Sequence, residues 1–198
     1  MSSTELSAET RRRVLDAAWE RVIEHGPKGA SVKDIAAAAG VSRQLVYFHY
    51  GSRAGLLTAM ARHRDRGFGR AAADALDLAP HQGLDATLRA WCDYVPEILP
   101  VARALEAALV TGDEGGTAWR ERMGELHDVL ARAVRRVELA PGWNVETATD
   151  WIWARVQPSA YAHLVGERGW THTDYVERTV TTLLREISRS SPAPRRRA

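Results

Sequence analysis

Between Ser31 and Leu57 helix starts and helix stops follow one another so closely that only very short helices fit. Val32, Ile35, Ala36 and Ala39 fall at i, i+3, i+4 and i+7, a single apolar stripe on one short helix. Ser31 with Asp34 three residues later makes a capping-box-like start. Gly40 can take the left-handed conformation that ends a helix. Val41 anchors the turn and Ser42 caps a second helix, roughly Arg43 to Tyr50. Val46 and Tyr50, four apart, turn inward there, which leaves Arg43, Gln44, Leu45, Tyr47 and His49 outward. Two short helices joined by a brief glycine-containing turn form a helix-turn-helix. A preceding helix, Ala8 to His25, carries Val14, Leu15, Ala18, Val22 and Ile23 at helical spacing and stops at Gly26-Pro27, completing a three-helix head. Trp19 is expected to pack that head.

The outward residues have the chemistry of DNA reading. Glutamine pairs bidentately with adenine, arginine with guanine, and an apolar group meets the thymine methyl, so Arg43, Gln44 and Leu45 are assigned to base edges. Tyr47, His49 and Arg53, with Ser42 and the helix start at Ser31 and Val32, offer donors to phosphate oxygens and set register. Charge agrees with this division. Residues 1–66 hold 11 lysines and arginines against 7 aspartates and glutamates, a net of +4, whereas residues 67–198 carry a net of −2. A basic head on an acidic body suits phosphate binding at one end only.

The run Gly-Val-Ser-Arg-Gln-Leu-Val-Tyr-Phe-His-Tyr-Gly-Ser-Arg-Ala-Gly-Leu-Leu, with Ile35-Ala36 and Ala39 before it, resembles the signature of the TetR (tetracycline repressor) family of transcriptional regulators. The likeness covers only the head end of the chain. It departs at Arg53, where the family usually has lysine, at Tyr50, which stands for phenylalanine and adds a hydroxyl, and at Ala54, which replaces a common glutamate. The resemblance implies a ligand-responsive DNA-binding regulator, most often a repressor released from a palindromic operator by a small molecule. It also implies a homodimer through the last two long helices and an effector pocket lined by the fourth to eighth helices. Met60, Trp91, Tyr94, Trp119, Met123, Trp153 and Tyr161 are apolar candidates for that pocket, and Arg64, His127 and Gln157 polar ones, suiting a flat or hydrophobic effector. The same residue types build ordinary cores. Trp151 and Trp153 lie two apart and point in different directions, so one of them at most lines a pocket.

Beyond the head every periodic segment is helical, and the whole reads as an all-α chain of about nine helices. A fourth helix is expected from Ser52 to Leu76, then helices over 84–95, 101–110, 119–139, 144–165 with a kink at Pro158, and 173–188. Pro96 and Pro100 bracket a turn, and 111–117 forms a loop. Ala148, Ile152, Val156, Ser159, Ala160 and His163, with the stripe Val176, Val180, Leu183, Leu184 and Ile187, are candidates for the dimer face or for the chain's own core. The domain reading is an 8–52 DNA-binding head, a 53–189 ligand-binding and dimerisation body, and a disordered basic tail at 190–198.

The lone Cys92 excludes an intrachain disulfide and a cysteine-based zinc cluster and reads as a small buried apolar residue. Seven scattered histidines without metal-ligand spacing predict no metal, and no cofactor motif is found. No apolar run long enough for a membrane span and no secretory leader is present, so a cytoplasmic protein is expected. Two other readings stay open: an architectural DNA binder indifferent to sequence, and a helical enzyme. No nucleophile–base or paired-carboxylate constellation supports the latter.

Overall fold

A computed structural model describes residues 7–189. The expected basic tail from Ser190 and most of the polar leader lie outside the described residues. The helices are α1 (Ala8–Gly29), α2 (Val32–Ala38), α3 (Arg43–Tyr50), α4 (Arg53–Arg64), α5 (Arg66–Ala75), α6 (Pro80–Thr111), α7 (Glu114–Val134), α8 (Val145–Arg155), α9 (Pro158–Tyr161) and α10 (His172–Ile187), with a π-helical turn at Ala162–Glu167 after α9. Among the described residues the only extended pairing is an isolated bridge between Leu139 and Ser188. The fold is all-α.

Ten helices arise where nine were expected because three boundaries move. The fourth helix is interrupted at Asp65, the C-cap of α4 with φ −70° and ψ −4°, so that α4 and α5 are separate. The expected turn at Pro96 and Pro100 is absent: α6 runs through both prolines for 32 residues. Both prolines lie on the exposed side. Pro100 leaves the carbonyl of exposed Pro96 without an amide partner and Pro96 leaves that of buried Cys92, while Val95, Ile98, Val101 and Ala102 are buried. Near residue 158 the chain does break: Gln157 is extended and Pro158 begins α9. The 111–117 loop is shorter than expected, since α7 starts at Glu114. Gly26, at φ 70°, kinks α1 near its predicted end, and helical turns resume to Gly29.

Two compact units form. Among the described residues, the first holds 7–66 together with Ile98–Gly124; the second holds Gly67–Glu97 and 125–189. The first is larger than an 8–52 head because α4, the end of α6 and the start of α7 belong to it. Its core is Val14, Leu15, Ala18 and Val22 of α1, Val32, Ile35 and Ala36 of α2, Val46 of α3, and Leu56, Leu57 and Met60 of α4. Trp19 is buried there too. Gly112, at φ 68°, turns α6 into α7.

In the second unit Phe68 of α5, Leu84, Leu88 and Trp91 of α6, Leu126 and Leu130 of α7, and Ala148 and Ile152 of α8 are buried. The α10 stripe of Val176, Val180, Leu183, Leu184 and Ile187 is buried within the single chain, as are Ala148, Ile152 and Val156. These side chains therefore belong to the chain's own core and are not an open dimer face. Ser159, Ala160 and His163 stay partly or fully exposed. Cys92 is buried, and burial pushes its thiol pKa up to about 12, so it behaves as an apolar residue.

The tightest backbone approach in the head is at Gly55, where an added Cβ would lie 2.2 Å from the Tyr50 carbonyl oxygen. Sequence periodicity gives no sign of this requirement. Gly55→Ala should cost about 1–3 kcal/mol, since backbone must shift to admit one methyl. Gly69→Ala, an exposed position in α5 where a Cβ meets nothing within 4 Å, should stabilise by about 0.4–1 kcal/mol. Urea unfolding of both variants checks this, and equal midpoints for the two would contradict it.

Candidate nucleic-acid interface

Each short helix of the head is capped by a serine that accepts from the amide three residues on. Ser31 Oγ accepts from Asp34 N at 3.2 Å, Ser42 Oγ from Leu45 N at 3.1 Å and Ser52 Oγ from Gly55 N at 3.0 Å. Ser31 also donates to Asp34 Oδ2 at 2.5 Å. The stop after α2 is a Schellman turn: Gly40, at φ 66°, donates its amide to Ala37 O and Val41 donates to Ala36 O. Gly51, at φ 71°, ends α3 by donating to Tyr47 O. Ser42 is thus committed through its oxygen, while its hydroxyl proton remains available. Val32 buries its side chain at the first position of α2, where its amide has no partner within the helix.

On α3, Val46 is buried and Arg43, Gln44 and Tyr47 are exposed. The Arg43 guanidinium lies 5.7 Å from the centre of the Tyr47 ring. Leu45 is half-buried. His49, expected outward, is also half-buried, and its Nε2 is enclosed with no hydrogen-bond partner. The Tyr50 hydroxyl, the departure from the family pattern, is likewise enclosed without a partner. The residue that sequence reasoning passed over is Phe48, 66% exposed and edge-on to His49. The signal was present: if Val46 and Tyr50 face inward, a residue two places from each lies on the opposite side.

The ten expected pocket residues fall into separate groups. In the first unit Met60, Trp119 and Met123 are buried, while Arg64 lies over the Trp19 ring at 5.0 Å and pairs with Asp16 at 3.6 Å. Arg64 therefore serves α1 packing. In the second unit Trp91 donates its indole N–H to Val156 O at 2.8 Å and meets Phe68 edge-on, and Phe68 stacks on Tyr94. Phe68 was not foreseen. His127 hydrogen-bonds Asp150 at 2.8 Å and meets the Trp153 edge, and Gln157 donates to the Trp153 carbonyl. Tyr161 packs against Tyr175 and His172. Trp151 donates to Glu186 and lies under Arg155, apart from the His127 contact of Trp153. Among the described residues no group of three or more potential ligands is placed to hold a metal ion.

Arg53 corrects an expectation. Instead of facing solvent for phosphate contact, it is 15% exposed, with Nε donating to Ala30 O at 3.1 Å and Nη1 to Asp113 Oδ1 at 3.2 Å. Asp113 Oδ1 also accepts from Gly115 N at 2.8 Å, capping α7. Burial opposes ionisation of Asp113, but the Gly115 amide, the Arg53 guanidinium and the Lys28 charge outweigh it and hold the carboxyl below its ordinary pKa. Unfolding releases that depression. The stabilisation is therefore complete above the ordinary carboxylate pKa and is lost as pH falls through the lower folded value. Asp113→Asn can keep the cap but not the charge. It should cost about 1–3 kcal/mol at neutral pH, with the gap to the unsubstituted chain closing on acidification, as read from urea midpoints across pH.

Comparison with known proteins agrees with this geometry. Residues 14–60 match the family model described as bacterial regulatory proteins, tetR family. The chain is 34% identical over 152 residues to the HTH-type transcriptional repressor LfrR of Mycolicibacterium smegmatis, covering 75% of this chain and 76% of the relative. It is 26% identical to the HTH-type transcriptional repressor BepR of Brucella suis, covering 95% and 96%. Among solved structures, a TetR-family regulator from Rhodococcus sp. superposes with a TM-score of 0.72 at 20% identity, covering 92% of this chain and all of that one. NalD, the secondary repressor of the MexAB-OprM multidrug efflux pump in Pseudomonas aeruginosa, does so with a TM-score of 0.68 at 22% identity, covering 92% and 98%. With capped short helices, glycine stops and an exposed arginine–glutamine face on the second of them, the chain belongs to the tetR family of bacterial transcriptional regulators.

Proposed function

We propose that the chain is a repressor that reads a two-fold-symmetric operator through α3 and is released by a small hydrophobic or aromatic effector. The observation that carries this reading is the exposed face of α3, where Arg43 and Gln44 stand beyond a serine cap on a helix held by buried Val46. Arg43, Gln44 and Leu45 reach base edges, while Ser31, Val32, Ser42, Tyr47 and His49 set register on phosphates. Arg53 is left out of the contact set because its Nε and Nη1 are held by Ala30 and Asp113. Residues 8–52 act as the DNA-binding segment and residues 53–189 as the effector-responsive and dimerising part. The partly exposed Ser159 and Ala160 and the exposed His163 are available for a second copy, and two-fold symmetry supplies two half-sites about one helical turn or a multiple apart.

LfrR and BepR are transcriptional repressors, and NalD is the secondary repressor of a multidrug efflux pump. By analogy this chain represses, and its aromatic second-unit core suits an apolar effector. An effector that binds a non-reading conformation more tightly shifts the population off DNA by that difference in affinity alone. On this reading the protein is not an enzyme and works in the cytoplasm beside its DNA; no helix among the described residues is long and apolar enough to cross a membrane.

The test is footprinting and titration on the DNA upstream of the protein's own gene, with random duplex as competitor. A protected, two-fold-symmetric site is expected. Gln44→Ala should then lose about 1–3 kcal/mol on that site and little on random duplex. Equal losses on both would refute base reading by α3.

A further inference from the structure

Away from the base-reading face, the first unit gathers positive charge that its packing does not use. A cavity of about 460 Å³ opens between the first turns of α1, the end of α4 and the start of α5, lined by Ala8, Glu9, Arg11, Arg12, His63 and Arg66. A second, of about 340 Å³, shares Arg11, His63 and Arg66 with it and extends past Arg62 to His49 and Tyr50 at the end of α3. Together they make one groove. The carboxylates near it are few and engaged: Glu9 is held by Arg12 at 3.1 Å, and Asp16 faces His63 at 3.9 Å and Arg64 at 3.6 Å. No carboxylate among the described residues pairs with Arg11 or Arg66.

The cost of this crowding shows on His63. Burial and then the Arg66 charge, with Arg64 and Arg12 adding, hold its pKa below the ordinary histidine value against the opposing pull of Asp16. Three enclosed polar atoms of groove-lining residues, His63 Nδ1, His49 Nε2 and the Tyr50 hydroxyl, have no protein partner. Converging like charges are unfavourable in the empty chain and become favourable once an anion with several oxygens lies among them.

We propose that this groove binds phosphate groups, at a site separate from the base-reading face of α3. Guanidinium forks from Arg11 and Arg66 pair bidentately with phosphate oxygens and stay charged throughout the physiological range. The two cavities share Arg11, His63 and Arg66 and add Arg12 and Arg62 between them, and several cations in one groove suit linked phosphates better than one isolated carboxylate. The volume is that of a small-ligand site. Two sources present this chemistry: a free polyphosphate compound, or the backbone of DNA flanking the half-site read by α3. The DNA source rests on the function proposed above and draws on the continuity of the groove with His49 at the end of α3; the free source does not depend on that reading.

The experiment compares the full chain with Arg11→Gln/Arg66→Gln and with Arg13→Gln, a neighbouring exposed arginine that lines neither cavity. All three are first checked for equal thermal melts. In one arm inorganic tripolyphosphate is titrated by calorimetry. In the other, affinity is measured across salt for the footprinted duplex, trimmed to its half-sites or extended by about half a helical turn on each side. A free ligand is indicated if tripolyphosphate binds and the double variant weakens it by about tenfold or more while Arg13→Gln does not. A DNA flank is indicated if the double variant loses about tenfold on the extended duplex only, with the salt slope reduced by about 4 for the two copies bound. Either result supports the site. No loss in either arm, or an equal loss from Arg13→Gln, overturns it. Failure of the unsubstituted chain to bind even the trimmed duplex counts against DNA reading and leaves the tripolyphosphate arm to decide the groove.

Discussion

The head depends on the serine hydroxyls that close its short helices. Isolated helices of seven or eight residues are unstable in water, because nucleation costs more than so few hydrogen bonds return. Ser31, Ser42 and Ser52 each satisfy an amide that the helix leaves open, and Gly40 and Gly51 turn the chain by adopting positive φ between them. The distance between stops then decides which way the α3 face points. Gly55 completes the arrangement by admitting the Tyr50 carbonyl against the first turn of α4, so the end of α3 and the start of α4 are set together.

Around α4 the first unit is tied by polar side chains as well as by its apolar core. Arg53 reaches Ala30 and Asp113, Thr58 donates to Glu121 at 2.8 Å, and Asp65 pairs with the buried Arg122. Such contacts add little net energy over apolar packing, since each charge must first leave water. Their value lies in geometry: each admits one arrangement of donor and acceptor, so α4 has a defined register against the α6–α7 turn. A substitution that strands one partner costs more than the pair contributes.

The second unit is built differently, from aromatic and aliphatic side chains with few buried charges. Phe68, Trp91 and Tyr94 share one cluster, and the Trp91 indole answers the carbonyl of Val156 where α8 has ended. Pro158 makes that interruption by restarting the chain as a new helix. The same residue types were expected to line a pocket, and here most of them pack against one another.

By itself the sequence determined the all-helical class, the helix-turn-helix with its serine starts and glycine stops, the inward Val46 and the exposed Arg43 and Gln44. These are local properties, set by side-chain period and by caps within three or four residues. Only the tertiary structure decided the rest. It carried α6 through two exposed prolines, split the fourth helix at Asp65, and turned the α8 and α10 stripes into the chain's own core. It also took Arg53 from the surface to Asp113, sixty residues away, and drew Arg11, His63 and Arg66 from three helices into one groove. Partners so distant along the chain leave no periodic trace, since nothing in local spacing records which charges will share a space once the helices pack.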